Sequence, residues 1–401
     1  MKRPLMQVAT LAALLASPAI AATLKVAPGP NAQERLQSAL IDAKPGDVVE
    51  MGAGRFDLTD GLSLDINGVT VKGAGPDQTI LSFASQQGAG EGLLVTSDDV
   101  VLRDFAVEDA KGDGIKSKGA DRIVYRNIRV EWTGGPKETN GAYGLYPVES
   151  RDVLIDGAVV KGASDAGIYV GQSRNIIVRN STAMFNVAGI EIENSYDADV
   201  HHNLATHNTG GILIFDLPNL PQQGGHNIRV FQNRVIANDT PNFAPKGNIV
   251  ASVPTGTGVM VMANRNVHVF DNDIADNGTT NVMIVAYQNS FTDQSYNPIA
   301  RDIVVRGNRH GRAGFAPAFP GGDALAQALG GSFPAIFWDG VGGDAANVHL
   351  TDSLPAISLN LGTQGQPISN ARPAPYAAPA TPAPADLPAI VLPATMEAAA
   401  R

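Results

Sequence analysis

The chain has 401 residues, a formal net charge of −10 and no cysteine. Lacking thiols, it can form neither disulfides nor thiolate-held zinc, iron–sulfur clusters or c-type haem. Setting aside the basic residues Lys2 and Arg3 takes the charge from −10 to −12, which argues against nucleic acid and anionic membranes, since both select basic patches.

The first 22 residues, MKRPLMQVATLAALLASPAIAA, place Lys2 and Arg3 before a short apolar run that ends in small residues around Ala19, Ala21 and Ala22. This is the anatomy of a secretory signal peptide, so residues 1–22 are set apart from the fold. No later stretch is long and uncharged enough to span a bilayer. The expectation is a periplasmic or secreted mature protein with no membrane span.

Residues 31–43 follow, with Leu36, Leu40 and Ile41 on one helical face, and the Lys44-Pro45-Gly46-Asp47 turn closes them. They read as an amphipathic capping helix.

From there a marker recurs, a small residue followed by alternating apolar positions: Gly92, Gly114, Gly144, Gly167, Gly189, Gly211, Gly258 and Asn281, at separations of 22, 30, 23, 22, 22, 47 and 23. A coil of 22 residues, once enlarged and once with a marker lost, explains the series. Alternation points Ile168, Val170, Ile190, Ile192, Ile212 and Ile214 inward. A second marker is an apolar residue three before an asparagine, at Asn127, Asn180, Asn203, Asn233, Asn272 and Asn308. Asparagine tolerates left-handed geometry, which suits the tight turn of a stacked coil. Leucine-rich repeats would need more leucine and a helix per unit, and a β-propeller a unit of about 40–45 residues. The fold expected is all-β, a right-handed parallel β-helix over residues 23–362.

Near the end, residues 321–330 read as a short helix, with 336–338 and 348–350 as a closing pair of strands. Residues 363–401, rich in Pro and Ala, read as a mobile tail.

The opening LKVAPGPNAQERLQSALIDAKPGDVVEMGAGRFDL and VTVKGAG resemble the entry helix and first coil of the pectin-lyase-like β-helix superfamily. GAYGLYPVES, ASDAGIYVGQS, VAGIEIENS, GGILIFDLPNLP and NFAPKGNIVASVPTGTG are similar to a narrower family of exported bacterial parallel β-helix repeat proteins. That resemblance implies the fold firmly and the activity weakly. Members of the narrower family mostly lack an assigned activity, and their genes often lie beside one for an exported c-type cytochrome. The wider superfamily holds polysaccharide lyases, hydrolases and epimerases, yet their catalytic signatures are missing here. Asp98-Asp99, the single Asp-Asp pair, lacks its partner motifs.

Chemistry is expected on the outward positions after each marker glycine. These give Lys116, Tyr146, Tyr169, Glu191 and Leu213 in one column, Lys118, Val148, Gly171, Glu193 and Phe215 in a second, and Glu149, Gln172, Asn194 and Asp216 in a third. Tyrosines offer platforms for sugar rings, and grouped carboxylates can act as acid and base or hold Ca²⁺. Insertions at 132–140, 217–225 and 239–255 flank the same coils as walls of a groove. Glu191, Glu193 and Asp216 are the candidate catalytic groups, with Tyr146, Tyr169, Gln172, Asn194 and Lys246 as substrate contacts. His202 and His207 can pair on a metal, although exposure beside a turn explains them better. The expectation is a carbohydrate-binding or polysaccharide-processing protein, with a non-catalytic partner of an exported cytochrome c as the alternative.

Overall fold

The computed structural model describes residues 21–88 and 90–401, so the proposed signal peptide lies almost wholly outside the described residues. The chain winds as a right-handed parallel β-helix. Its strands form a twelve-stranded sheet, which carries the marker glycines, and a twenty-stranded sheet that bends around the rest of each coil. Pairing is parallel from coil to coil, as in Ile168 with Ile190, Ile190 with Ile212 and Ile212 with Val259.

The alternation read from the sequence sets the facing. Ile168, Val170, Ile190, Ile192, Ile212, Ile214, Val259 and Val261 are all fully buried in one axial core. Stacking at about 4.8 Å per coil lets each coil cover the apolar residues its neighbour would otherwise expose. Marker glycines are needed for space: a Cβ at Gly189 would lie 2.5 Å from the Gly211 carbonyl oxygen and 2.8 Å from the Asn208 amide nitrogen.

The asparagine column differs from its expectation. Asn203, Asn233, Asn272 and Asn308 are buried, and the left-handed residue sits one place earlier, at His202, Gln232, Asp271 and Gly307. Asn127 and Asn180 occupy that earlier place, each with φ of 52°. The buried set forms a ladder in which each amide donates to the side-chain oxygen of the next coil, at 3.0, 2.9 and 2.8 Å. The last amide, Asn308, donates to the Asp352 carboxylate at 2.9 Å. A second ladder, Asn186, Asn208, Asn238 and Asn277, runs beside the marker strand at 3.0–3.1 Å.

The entry helix is Ala32–Asp42 and buries Leu36 and Leu40; Ile41 is 63% exposed, so the apolar face is narrower than expected. Gly322–Ala328 is the short helix near the end. Ile336–Trp338 and Val348–Leu350 are strands, but each continues a different sheet, so they extend the solenoid by a coil rather than pair with each other.

The largest departure is the segment expected to be a mobile tail. Ala374–Pro375 pairs antiparallel with Ala356–Ser358. The chain then runs back along the outside of the twenty-stranded sheet. Asp386 pairs with Arg306 at 2.9 Å, the Ile390 N–H donates to Asp199, and Glu397 pairs with Arg179 at 2.8 Å. The Arg126 guanidinium donates to the Ala400 carbonyl at 2.7 Å. Leu392, Met396 and Ala400 bury against Val124, Leu154 and Ile177, apolar residues on the outer face that need cover. Low complexity in the sequence concealed those few anchors.

Candidate functional site

The outer face of the twelve-stranded sheet is laid out by register. Tyr169, Glu191, Leu213, Met260 and Met283 form one row, and Gly171, Glu193, Phe215, Met262 and Val285 the next. Tyr146 is in register with Lys116.

This face is not an open groove. Leu213, Phe215, Met260 and Met262 make it apolar enough to need a cover, which Val250 and Val253 from the 239–255 insertion, Tyr296, Phe333 and Leu359 supply. Glu191 and Glu193, expected at a solvated surface, are only 1% and 6% exposed. Tyr143, Tyr146 and Tyr169 pack together beside them, with ring centroids 4.5–5.0 Å apart. The Lys116 ammonium lies 4.9 Å from the Tyr146 ring.

Tyr169 donates its hydroxyl proton to Glu193 at 2.7 Å. Gly171 permits this, because a Cβ there would meet the Tyr169 hydroxyl at 2.4 Å. Neither oxygen of Glu191 receives a hydrogen bond from any donor of the fold. Its carboxyl is within hydrogen-bonding reach of Glu193, so a proton held on Glu191 joins the two. Burial, then the charges of Glu193 and Asp165, raise the Glu191 pKa well above the usual range. Glu193 is pushed up to about 7, chiefly by burial, although the bonds from Tyr169 and Glu191 oppose the shift. A buried carboxyl kept neutral beside an ionised one is the usual means of holding an acid ready near neutral pH.

Two further carboxylates belong here that outward-column counting missed. Asp165, 5% exposed, is raised to about 7 by burial and accepts a 2.9 Å bond from the Asn248 amide of the covering insertion. Asp113 is raised to about 6, again by burial, against the pull of Lys116. Both precede a marker glycine, by one residue for Gly114 and by two for Gly167; that offset was the available signal.

The remaining candidates divide. Asp216 accepts the N–H groups of Gly224 and Gly225 at 3.2 and 2.8 Å and so closes the 217–225 loop; burial raises it to about 6. Asn194 is a brace: its amide donates to the carbonyls of Leu217 and Gln222, and its oxygen accepts from the Leu217 N–H. Gln172 is half-buried with its side-chain oxygen unpaired. Lys246 is exposed, two residues before Asn248. His202 meets His201, with their Nδ1 atoms 2.7 Å apart, while His207 pairs with Asp239; the two do not converge. No group of three or more His, Asp or Glu among the described residues is arranged for a metal ion. A separate apolar cavity of about 430 Å³, lined in part by Met260, Met262, Met283 and Phe337, shares no residue with the cluster.

The buried acids carry a pH signature. Glu191, Glu193 and Asp165 bind a proton more tightly folded than unfolded, so their contribution is present below the ordinary carboxylate range; that of Glu193 and Asp165 is lost as pH rises through about 7, and that of Glu191 as pH rises through its own elevated pKa. Melting temperature should therefore fall by several degrees between about pH 5 and about pH 8, and Glu191→Gln should flatten the profile. Circular-dichroism melts across that range check this; an equally steep Glu191→Gln profile would place the titrating groups elsewhere.

Residues 65–221 match the family model described as a right handed beta helix region. The pectin-lyase-like resemblance is thereby supported at the level of fold, in line with the solved structures. The chain is similar to the A-module of the Azotobacter vinelandii mannuronan C-5 epimerase AlgE4, with 14% identity, a TM-score of 0.54, and coverage of 85% of this chain and 96% of that one. It is also similar to the polygalacturonase of Erwinia carotovora ssp. carotovora, with 13% identity, a TM-score of 0.51, and coverage of 77% and 95%. At such identities the likeness is one of architecture. No curated protein matches the chain in sequence.

Proposed function

We propose that this chain is an exported polysaccharide-processing β-helix protein whose chemistry is carried by Glu191, Glu193 and Asp165. The carrying observation is Glu191. A buried carboxyl that no donor of the fold serves costs stability, and the same strand position in neighbouring coils holds Tyr169 and Leu213, so the solenoid does not require an acid there. Retention of a costly group beside a second carboxylate and three tyrosines fits acid–base work on a sugar. Two of the architectural relatives, an epimerase of mannuronan and a polygalacturonase, are named for polysaccharide chemistry, which supports the substrate class. Export rests on the composition of residues 1–22. The cytochrome alternative finds no support among the matched proteins.

Access requires the 239–255 insertion to swing away. Its one polar tie to the acids is the Asn248–Asp165 bond, so opening frees Asp165 as it uncovers Glu191. Tyr146 and Tyr169 then offer the stacking surface, and Gln172 and Lys246 flank the mouth.

Glu191→Gln and Glu193→Gln should each lower turnover by about 100-fold or more, without loss of fold. Release of new reducing ends or uronate epimerisation, measured on a panel of polysaccharides with melting curves in parallel, checks this. A parent protein that neither binds nor converts any polysaccharide would sink the reading.

A further inference from the structure

The charge around the cluster selects the kind of sugar. The groups that act most strongly on Glu191 and Glu193 are each other, Asp165, Tyr169 and Asp216; none of these is a cation. Lys116 is already engaged, pairing with Glu91 at 3.1 Å and Asp113 at 3.9 Å. Arg301 donates to the Ile299 carbonyl at 3.1 Å and acts on Asp216. Asp165 is held by a neutral amide, that of Asn248. Glu191 is almost completely buried, points into this cluster and lacks any donor from the fold.

We infer that the site takes a glycan whose sugars carry no carboxylate, neutral or aminated, and cleaves it by hydrolysis. This rests on the polysaccharide-processing reading above. The carboxylate of a uronate would bring a further anion and only acceptor oxygens to a buried set of carboxylates, with the cation Lys246 exposed at the mouth, whereas a hydroxyl or ammonium group in its place supplies the donor that Glu191 lacks. The same accounting separates the reactions. Elimination and C5 epimerisation pass through a carbanion next to a carboxylate, and the added negative charge needs a nearby cation. Glycoside hydrolysis passes through an oxocarbenium-like, positively charged state, which ionised carboxylates stabilise.

The step balances within the residues present. Glu191 gives its proton to the glycosidic oxygen as the bond from that oxygen to C1 breaks. Water adds to C1, and its proton passes to Asp165, released from Asn248 by opening of the insertion. Ionised Glu193, fixed by the Tyr169 hydroxyl, faces the developing positive charge. Proton exchange with solvent returns Glu191 to its acid form and Asp165 to its base form.

The test uses the full mature chain and three hexasaccharides: a glucosamine oligomer, a neutral glucose oligomer and a galacturonate oligomer. Calorimetry at about neutral pH should give at least one of the first two a Kd about tenfold or more below that of the galacturonate oligomer, a difference of about 1.4 kcal/mol. The double variant Glu193→Gln, Asp165→Asn should close that gap, and the product should be a saturated reducing end. Tighter binding of the galacturonate oligomer, or an unsaturated product, overturns the inference while leaving a polysaccharide site in place. Binding of none of the three, together with no activity on the wider polysaccharide panel, overturns the functional reading and the inference with it.

Discussion

Ile190→Asp should cost about 4 kcal/mol or more and leave the central coils unable to fold at growth temperature. Ile190 is fully buried and stacks between Ile168 and Ile212, so the new carboxylate would sit in the axial core with no partner. The neighbouring residue, Glu191, shows that this strand accepts an acid on its other face. Facing, rather than tolerance of charge by the coil, is therefore what the substitution reads. Ile190→Val, which keeps shape and polarity, should cost only about 1 kcal/mol. Urea or thermal melts of both variants supply the comparison, and an Ile190→Asp protein that melts like the parent would show the inward assignment to be wrong.

Removal of residues 373–401 should lower the melting temperature by about 5 °C or more. The deletion uncovers Val124, Leu154 and Ile177 and takes Glu397 from Arg179 and Asp386 from Arg306. The exposed ion pairs contribute little; apolar cover by Leu392 and Met396 is the larger part. The double substitution Leu392→Ala, Met396→Ala should reproduce most of the loss without shortening the chain. If truncation leaves the melt unchanged, the segment rests on the solenoid without stabilising it.

The period and the facing of the solenoid were legible because they are properties of spacing. A glycine every 22 residues with alternating apolar neighbours has one economical packing, and Ile168, Ile190 and Ile212 lie where that packing puts them. The rows containing Tyr169 with Glu191 and Gly171 with Glu193 followed from the same register. Burial of those rows did not, because alternation distinguishes the two faces of a strand but carries no information about what folds over the outer one. Asn194 shows the converse difficulty: an outward amide beside two glutamates suggests a ligand contact, yet its partners are the Leu217 and Gln222 carbonyls of an insertion whose path the repeat does not determine. Asp165 was overlooked because it precedes the marker glycine, where the coil turns, and reaches the cluster from there.

The buried asparagines have an electrical consequence. In the ladder through Asn203, Asn233 and Asn272 every side-chain amide points its N–H the same way along the axis, so the small dipoles add instead of cancelling, and each polarises the next. The row has a positive end, at Asn308. There the acceptor is the Asp352 carboxylate, which takes both the backbone N–H and the side-chain amide of Asn308 at 2.9 Å and is met from the side by His310 at 2.8 Å. An anion at the positive end of aligned dipoles is the arrangement that acidic residues give at the first turn of a helix. The solenoid therefore has a polarity independent of its chain direction. A coil added by duplication fits this ladder only ahead of Asp352, because the oxygen of an amide beyond it would face a full negative charge where the oxygens of its predecessors accept an amide N–H.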